Sequence, residues 1–490
     1  MPFSASSYFT KAFGWTAGAL ILAIAVLYPQ YCDGVDPDAT AYFTLARRWA
    51  RGDFQGAING YWSPFSIWLT ALLMKVGIPE IAAAFMQNTL GAVAFLGASM
   101  SLFRRFELSR SFLNIVLPAL GFFLLHAVLV QWFSDLWGAA FELLALHLLF
   151  KPGFFRKPVH WILYGLIGAL AYLAKSVYLP FFVLQTIGAV LLRRNEPSLF
   201  RNLMFLLTAL LVPALVCLPW WWALRNHYGF WTTGVAGGLN ISWGLVGHPV
   251  YRTTDLLLPP LHADASSFWE DPWWVNVPKT PFWETPNAFI RLLPRLYYFL
   301  TRLLEKSVLL TLFLPVAIFE SIRQLFRKRL RLPGDFKTQL LQWALMLFPV
   351  PFLLIHSEVR YLWVLAPLTI IWVGHLLVDR FFNRTVVVLL AISLCVDGLL
   401  YLPGGWQLGR SEKAFARSLQ AQSIWGDFMT DTSVSYGQAL RIAYFAGMRY
   451  WVAKQPIAPD TLRNGPHPEW ILQSVPTVKG ASGTYRIRKF

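Results

Sequence analysis

Long apolar runs separated by short basic stretches set the pattern of this chain. A hydrocarbon core about 30 Å thick is crossed by about 20 apolar residues in α-helix. On that measure eleven transmembrane helices are predicted, near 12–29, 82–103, 112–131, 135–150, 159–175, 178–192, 202–224, 304–322, 338–356, 360–378 and 385–402. The apolar stretch 64–77 is too short for a span. As a helix it rises only about 21 Å, so it is expected to lie in the interface or to re-enter on one side.

Charge then orients the bundle. With the amino terminus inside, the cytoplasmic segments hold Lys11, then Arg104, Arg105 and Arg110, then Lys151, Arg156 and Lys157. The remaining inside loops hold Arg193, Arg194 and Arg201, the cluster from Arg323 to Lys337, and Arg380 with Arg384. Every one of these loops is basic, as the positive-inside rule requires. Counting 64–77 as a full span would put Arg104, Arg105 and Arg110 outside and reverse all later loops. Three long segments, 30–81, 226–303 and 403–490, therefore face the external side. The last turns polar and contains the strand-like runs Tyr444–Tyr450 and Thr484–Ile487. It is expected to form a small external α/β domain, 403–490, after a transmembrane domain, 1–402.

Composition agrees. The chain is 56% hydrophobic and 14% charged, whereas soluble domains are about 45–50% apolar and about 25% charged. The net charge of +17 is accounted for by the inside loops, and no nucleic-acid-binding motif accompanies it. Three cysteines, Cys32, Cys217 and Cys395, exclude a disulfide framework and a four-thiolate zinc site. The first apolar run reads as a helix rather than a cleaved leader, because only Lys11 precedes it and it continues past Ala23-Ile24-Ala25. The chain is expected in a bacterial inner membrane, with a cytoplasmic amino terminus and a periplasmic carboxyl terminus.

Candidate chemistry collects on the external side. Asp33, Asp36 and Asp38 follow the first helix directly. Asp36-Pro37 suits a helix start, with Asp36 as cap and Pro37 at the first helical position. Asp38 is left over for chemistry. In the helix that follows, Tyr42, Leu45, Ala46 and Trp49 recur at helical spacing, with Arg47, Arg48 and Arg51 mostly on other faces; this fits a helix in the headgroup layer or a solvated surface helix. Asp135 sits at a helix junction, as a second acidic site or as a cap. Lys175 ends a helix, where it either snorkels or meets a phosphate. Trp269, Glu270 and Asp271 fall in the run Phe268–Trp274, which suits sugar stacking and hydroxyl recognition or an interfacial aromatic belt. Glu358, Arg360 and Tyr361 follow His356-Ser357. A planar guanidinium grips phosphate with two bonds, and the alternative for Arg360 is an anchor paired with Glu358.

Pro37-Asp38, Tyr42, Ala46-Arg47, Gly52-Asp53, Tyr61-Trp62-Ser63-Pro64 and Glu358-Val359-Arg360-Tyr361, in that order, resemble the GT-C class of integral-membrane glycosyltransferases. More narrowly they resemble its protein mannosyltransferase and aminoarabinose transferase superfamily. The resemblance covers about 12–402 and does not reach the tail. It implies a GT-C-like bundle and an inverting transfer of a hexosyl or pentosyl group, at the external face, from a polyprenyl-phosphate donor to a glycan, lipid or protein acceptor. Asp38, with Asp36, would be catalytic, and Arg360 and Lys175 would bind the donor phosphate. Tyr42, Trp269, Glu270, Asp271, Glu358 and Tyr361 would bind substrate. A divalent cation, Mg or Mn, would be held by Asp36 and Asp135. The rival readings are a transporter or flippase of lipid-linked sugars and a non-catalytic accessory membrane subunit.

Overall fold

A computed structural model describes residues 5–490 apart from 133, 194–197, 247–257, 275–278, 280–283, 285–287, 328–334, 354–357, 379–383, 432, 453–467, 476–483 and 490. His356 and Ser357 lie outside the described residues.

Each of the eleven predicted spans contains an apolar helix. Six described helices are long and apolar enough to cross a membrane. They are α1 (Ala5–Tyr31), α4 (Glu80–Arg105), α5 (Arg110–Val130), α9 (Leu199–Tyr228), α12 (Val308–Arg327) and α15 (Arg384–Gly405). The other five predicted spans are shorter: α6 (Asp135–Leu149), α7 (Pro158–Ala174), α8 (Tyr178–Leu192), α13 (Phe336–Leu347) and α14 (Leu365–Trp372). Among the described residues, six of the eleven expected spans thus reach that length and five are shorter helices. Proline explains part of the shortfall. Pro349 and Pro351 follow α13, and the chain continues as a 3-10 turn, Val350–Leu353. Proline lacks the N–H of the helix ladder, so the α-helical bonding stops there although Phe348 keeps helical backbone angles.

Between α1 and α4 lie two short helices. Asp36 caps α2 (Pro37–Arg51), its Oδ1 accepting the Asp38 amide at 2.9 Å, with Pro37 at the first helical position. Gly52 ends the helix at φ +86°, a left-handed conformation that a side chain would strain. The 64–77 stretch forms α3 (Pro64–Lys75), 12 residues long and packed on α2. Much of α2 is wrapped by protein, and even Arg48 is buried.

The tail contains α16 (Arg410–Ala421), α17 (Tyr436–Ala446) and a four-stranded sheet of order β2-β1-β3-β4. Strand β1 (Asp427–Thr430) runs parallel to β2 (Arg449–Tyr450) and β3 (Trp470–Val475), and β4 (Thr484–Lys489) is antiparallel to β3. The strand expected at Thr484–Ile487 is β4. The strand expected at Tyr444–Tyr450 is split: Tyr444–Ala446 end a helix, Gly447 turns the chain at φ +69°, and a short strand follows. Ser435 and Gln438 form a reciprocal capping box that starts α17, and only Arg449–Tyr450 is extended. Such a box satisfies two orphan amides at once, which outweighs the β propensity of the aromatics.

The tail is stitched to the rest of the chain near α2. Lys413 reaches Asp33 at 2.6 Å, and Tyr444 donates to Glu80 at 2.6 Å. Gly409, at φ +84°, makes this possible, because a Cβ there would strike the Asp33 carbonyl. Leu258 and Val452 exchange amide bonds at 2.9 and 3.1 Å, and the Tyr450 amide donates to the Ser266 carbonyl at 2.9 Å. The edge of the sheet thereby holds the loop that carries Trp269.

Candidate active site

Arg360 is the hub. It sits in a single 3-10 turn, Val359–Leu362, and is 7% exposed. Its Nη2 donates to Asp38 Oδ2 at 2.9 Å, its Nε lies 2.7 Å from Glu358 Oε2, and Asp135 Oδ2 is 3.8 Å away. Burial acts to lower the pKa of this guanidinium, but Glu358, Tyr361, Asp135 and Asp38 outweigh it and hold the group well above the ordinary arginine range. Asp135, in the first turn of α6, takes Lys175 on its other oxygen. The Lys175 ammonium also stands 4.0 Å from the centre of the Tyr361 ring, an attractive cation–π placement.

Asp38 is 20% exposed. Its second oxygen, Oδ1, accepts from Trp269 Nε1 at 2.8 Å. The Trp269 indole stacks on Trp243, with centroids 5.7 Å apart and 22° between planes, and meets Tyr61 and Trp62 edge-on. Tyr42 packs against Trp62 and lies 3.4 Å, oxygen to oxygen, from Ser134. Asp36 stands behind Asp38. Burial, with the Asp38 charge adding to it, pushes its carboxyl up to about 7.

Two expected substrate ligands have other partners. Glu270 is buried against Arg48, with His262 at 3.0 Å, and that contact raises the His262 imidazole's pKa. Asp271 accepts from Tyr228 at 3.0 Å and lies 3.2 Å from His227. Both carboxylates pin the loop, leaving Trp269 as the residue of that run that reaches Asp38. Asn59, which sequence reasoning passed over, completes the pinning. Its Oδ1 accepts the Tyr61 and Trp62 amides at 2.9 and 2.8 Å, and its Nδ2 donates to the Glu270 carbonyl at 2.8 Å.

Arg360 also lines a cavity of about 310 Å³. Arg302 and Lys306, at the end of α11 (Ala288–Lys306), line it together with Glu358, Trp363, Asp397 and Tyr401. Asp397 accepts from Ser307 at 2.7 Å. Arg302 and Lys306 were not anticipated. Their signal was the helical spacing of Arg291, Arg295, Arg302 and Lys306, multiples of about one turn apart along a largely apolar segment.

The arrangement does not suit the expected divalent cation. Among the described residues no three His, Cys, Asp or Glu side chains gather as a metal would need. Asp36 gives Oδ1 to a helix amide and Asp135 gives Oδ1 to Lys175, while the buried Asp135 Oδ2 has no hydrogen-bond partner among the described residues and Arg360 stands 3.8 Å from it. A cation between Asp36 and Asp135 would face two positive charges.

No family model matches the chain, and no curated protein matches it. Solved structures do. The archaeal oligosaccharyltransferase AglB from Archaeoglobus fulgidus, solved with an inhibitory peptide and a dolichol-phosphate, is similar at TM-score 0.51 and 12% identity, over 90% of this chain and 64% of that one. The chain has the GT-C fold. Another structure of the Archaeoglobus fulgidus oligosaccharyltransferase, a complex with Zn and sulfate, matches at TM-score 0.47 and 15% identity, covering 86% of this chain and 59% of that one. ArnT from Cupriavidus metallidurans, bound to undecaprenyl phosphate, matches at TM-score 0.45 and 14% identity, covering 94% and 93%. This chain spans about three fifths of the oligosaccharyltransferase's length. Within this GT-C fold, Asp38 joins the aromatic cluster around Trp269 to Arg360, which lines a cavity carrying three basic and two acidic side chains.

Proposed function

We propose that this membrane protein transfers a glycosyl group from a polyprenyl-phosphate donor to an acceptor hydroxyl, with inversion, on the external side of the membrane. The observation that carries the reading is the place of Arg360, which bonds Asp38 and lines the cavity. In the cavity Arg302, Lys306 and Arg360 supply the positive charge that a phosphate leaving group requires. Tyr298, Trp363 and Tyr401 supply apolar and aromatic surface. Asp38 takes the acceptor's proton as that oxygen attacks the anomeric carbon, and the aromatic rings around Trp269 offer stacking surface to a sugar. Lys175 assists by holding Asp135 beside Arg360. The external placement rests on the basic inside loops.

The test is sugar transfer by the purified chain in nanodiscs, with a panel of short-chain polyprenyl-phosphate sugars. Wild type should release polyprenyl phosphate. Asp38→Asn should lower the rate by about 100-fold or more while keeping its thermal unfolding midpoint, since a positioned base contributes about 10²–10⁴-fold. Equal release from both proteins would remove Asp38 as the base.

One observation favours the transport reading. Glu142 is fully buried inside α6, and neither carboxylate oxygen has a hydrogen-bond partner. Ionisable groups within membrane helices often mark transport pathways. Movement of lipid-linked sugar across proteoliposomes, without release of polyprenyl phosphate, would move the assignment there.

A further inference from the structure

Both oxygens of the Asp38 carboxylate are occupied. Trp269 Nε1 holds Oδ1 and Arg360 Nη2 holds Oδ2. An acceptor hydroxyl has to reach a lone pair on one of those oxygens, and the guanidinium stands over Oδ2. The group that blocks Oδ2 is the same group that borders the cavity. Arg360 already holds Asp38 and Glu358, with Asp135 3.8 Å away, and an anion entering the cavity that it lines would compete with them for the guanidinium.

We propose that the donor's phosphate is the switch that turns Asp38 into a base: seated in the cavity against Arg302 and Lys306, it draws Arg360 off Asp38, so that the acceptor engages only after the donor. This rests on the reading of the cavity as the donor-phosphate seat. A phosphate presents several acceptor oxygens to a planar guanidinium, which can take two of them at once. To Asp38, Arg360 makes one hydrogen bond, from Nη2. The exchange asks for a side-chain rotation, with the Val359–Leu362 turn staying in place. Trp269 keeps its bond to Oδ1 and continues to aim the carboxylate. Coupling between sites is reciprocal, so an acceptor hydroxyl on Asp38 favours the phosphate-bound position of Arg360 in turn. In the absence of donor the carboxylate stays capped.

The test uses the full-length chain in detergent with farnesyl phosphate as the probe. Binding of radiolabelled probe is measured by equilibrium dialysis. Carboxyl reactivity is measured at fixed pH by carbodiimide-coupled amine labelling, with Asp38 resolved from Asp33 and Asp36 by fragment mass spectrometry. The expected result is a several-fold rise in Asp38 labelling that saturates at the same probe concentration as binding. Arg360→Gln should show high Asp38 labelling without probe. Arg360→Lys, a milder change, serves the same comparison where the glutamine variant fails to fold. Saturable binding with Asp38 labelling unchanged or reduced overturns the switch while leaving the donor reading intact. Failure of farnesyl phosphate to bind overturns the donor reading and the switch with it.

Discussion

Asp36 and Asp38 are two positions apart and differ in what surrounds them. Asp38 has a guanidinium and an indole; Asp36 has a helix amide and burial. Burial pushes the Asp36 carboxyl up to about 7, whereas in an unfolded chain it titrates near the ordinary value of about 3.9. The folded state therefore binds the proton more tightly. Asp36 contributes most to stability below about pH 4, and that contribution falls as pH rises, until it is gone above about pH 7. Asp36→Asn should remove this part of the slope, so the difference in unfolding midpoint between variant and wild type should change sign or widen between pH 5 and about 7.5. A constant difference across that range would show that Asp36 titrates normally. Trp269 gives a second residue-scale expectation. Trp269→Phe keeps the aromatic ring among Tyr61, Trp62 and Trp243 but removes the donor to Asp38. A hydrogen bond to a charged group is worth about 1.5–3 kcal/mol, so kcat should fall by roughly tenfold or more with the fold intact. An unchanged kcat would mean that the indole does not aim the carboxylate. Neither expectation follows from the local sequence, since Trp269 is more than 200 residues from Asp38.

At the scale of elements, the joint between α2 and the loop 258–274 decides where Trp269 stands. Arg48 is 4% exposed and binds Asp264, Glu270 and the Gly56 carbonyl, the last at 2.7 Å. The Arg48 bonds outweigh the cost of burial at Asp264 and hold its carboxyl below the usual range. Removing one member of a buried charge pair costs about 3–5 kcal/mol, whereas replacing both with apolar residues of similar volume is often neutral. Arg48→Ala should therefore lower the unfolding midpoint strongly, and Arg48→Met with Glu270→Leu should recover much of it. A single substitution no worse than the double would mean the joint is not a coupled unit. The sequence placed Arg48 on a polar face because helical spacing sees only its own helix. It had no means of showing that a loop 220 residues later covers that face with two carboxylates. The same limit explains α17, where a capping box overrode the extended reading of Tyr444–Tyr450.

At the scale of the whole molecule, topology and chemistry are linked by the tail. The tail sheet holds the Trp269 loop through Val452 and Tyr450, and Lys413 and Tyr444 tie it to Asp33 and Glu80. The tail then lies on the same side of the membrane as the Asp38 cluster, and the positive-inside pattern leads us to propose that this side is the external one. Ser433 is exposed in the tail. Ser433→Cys, with Cys32, Cys217 and Cys395 changed to Ala, should react with a membrane-impermeant maleimide on intact spheroplasts. Labelling only after lysis would invert the orientation. The membrane character, the apolar helices and the cap at Asp36 were legible in the sequence, because each depends on composition or on neighbours within about one helical turn. Helix lengths were less so, since prolines and packing shorten what hydropathy alone would extend. The pairing of Asp38 with Arg360 and Trp269, the diversion of Glu270 and Asp271 to Arg48 and Tyr228, and the cavity that Arg360 lines were decided by tertiary structure. Those contacts join residues tens to hundreds of positions apart, and a charge's partner is set by distance in space, which no local pattern encodes.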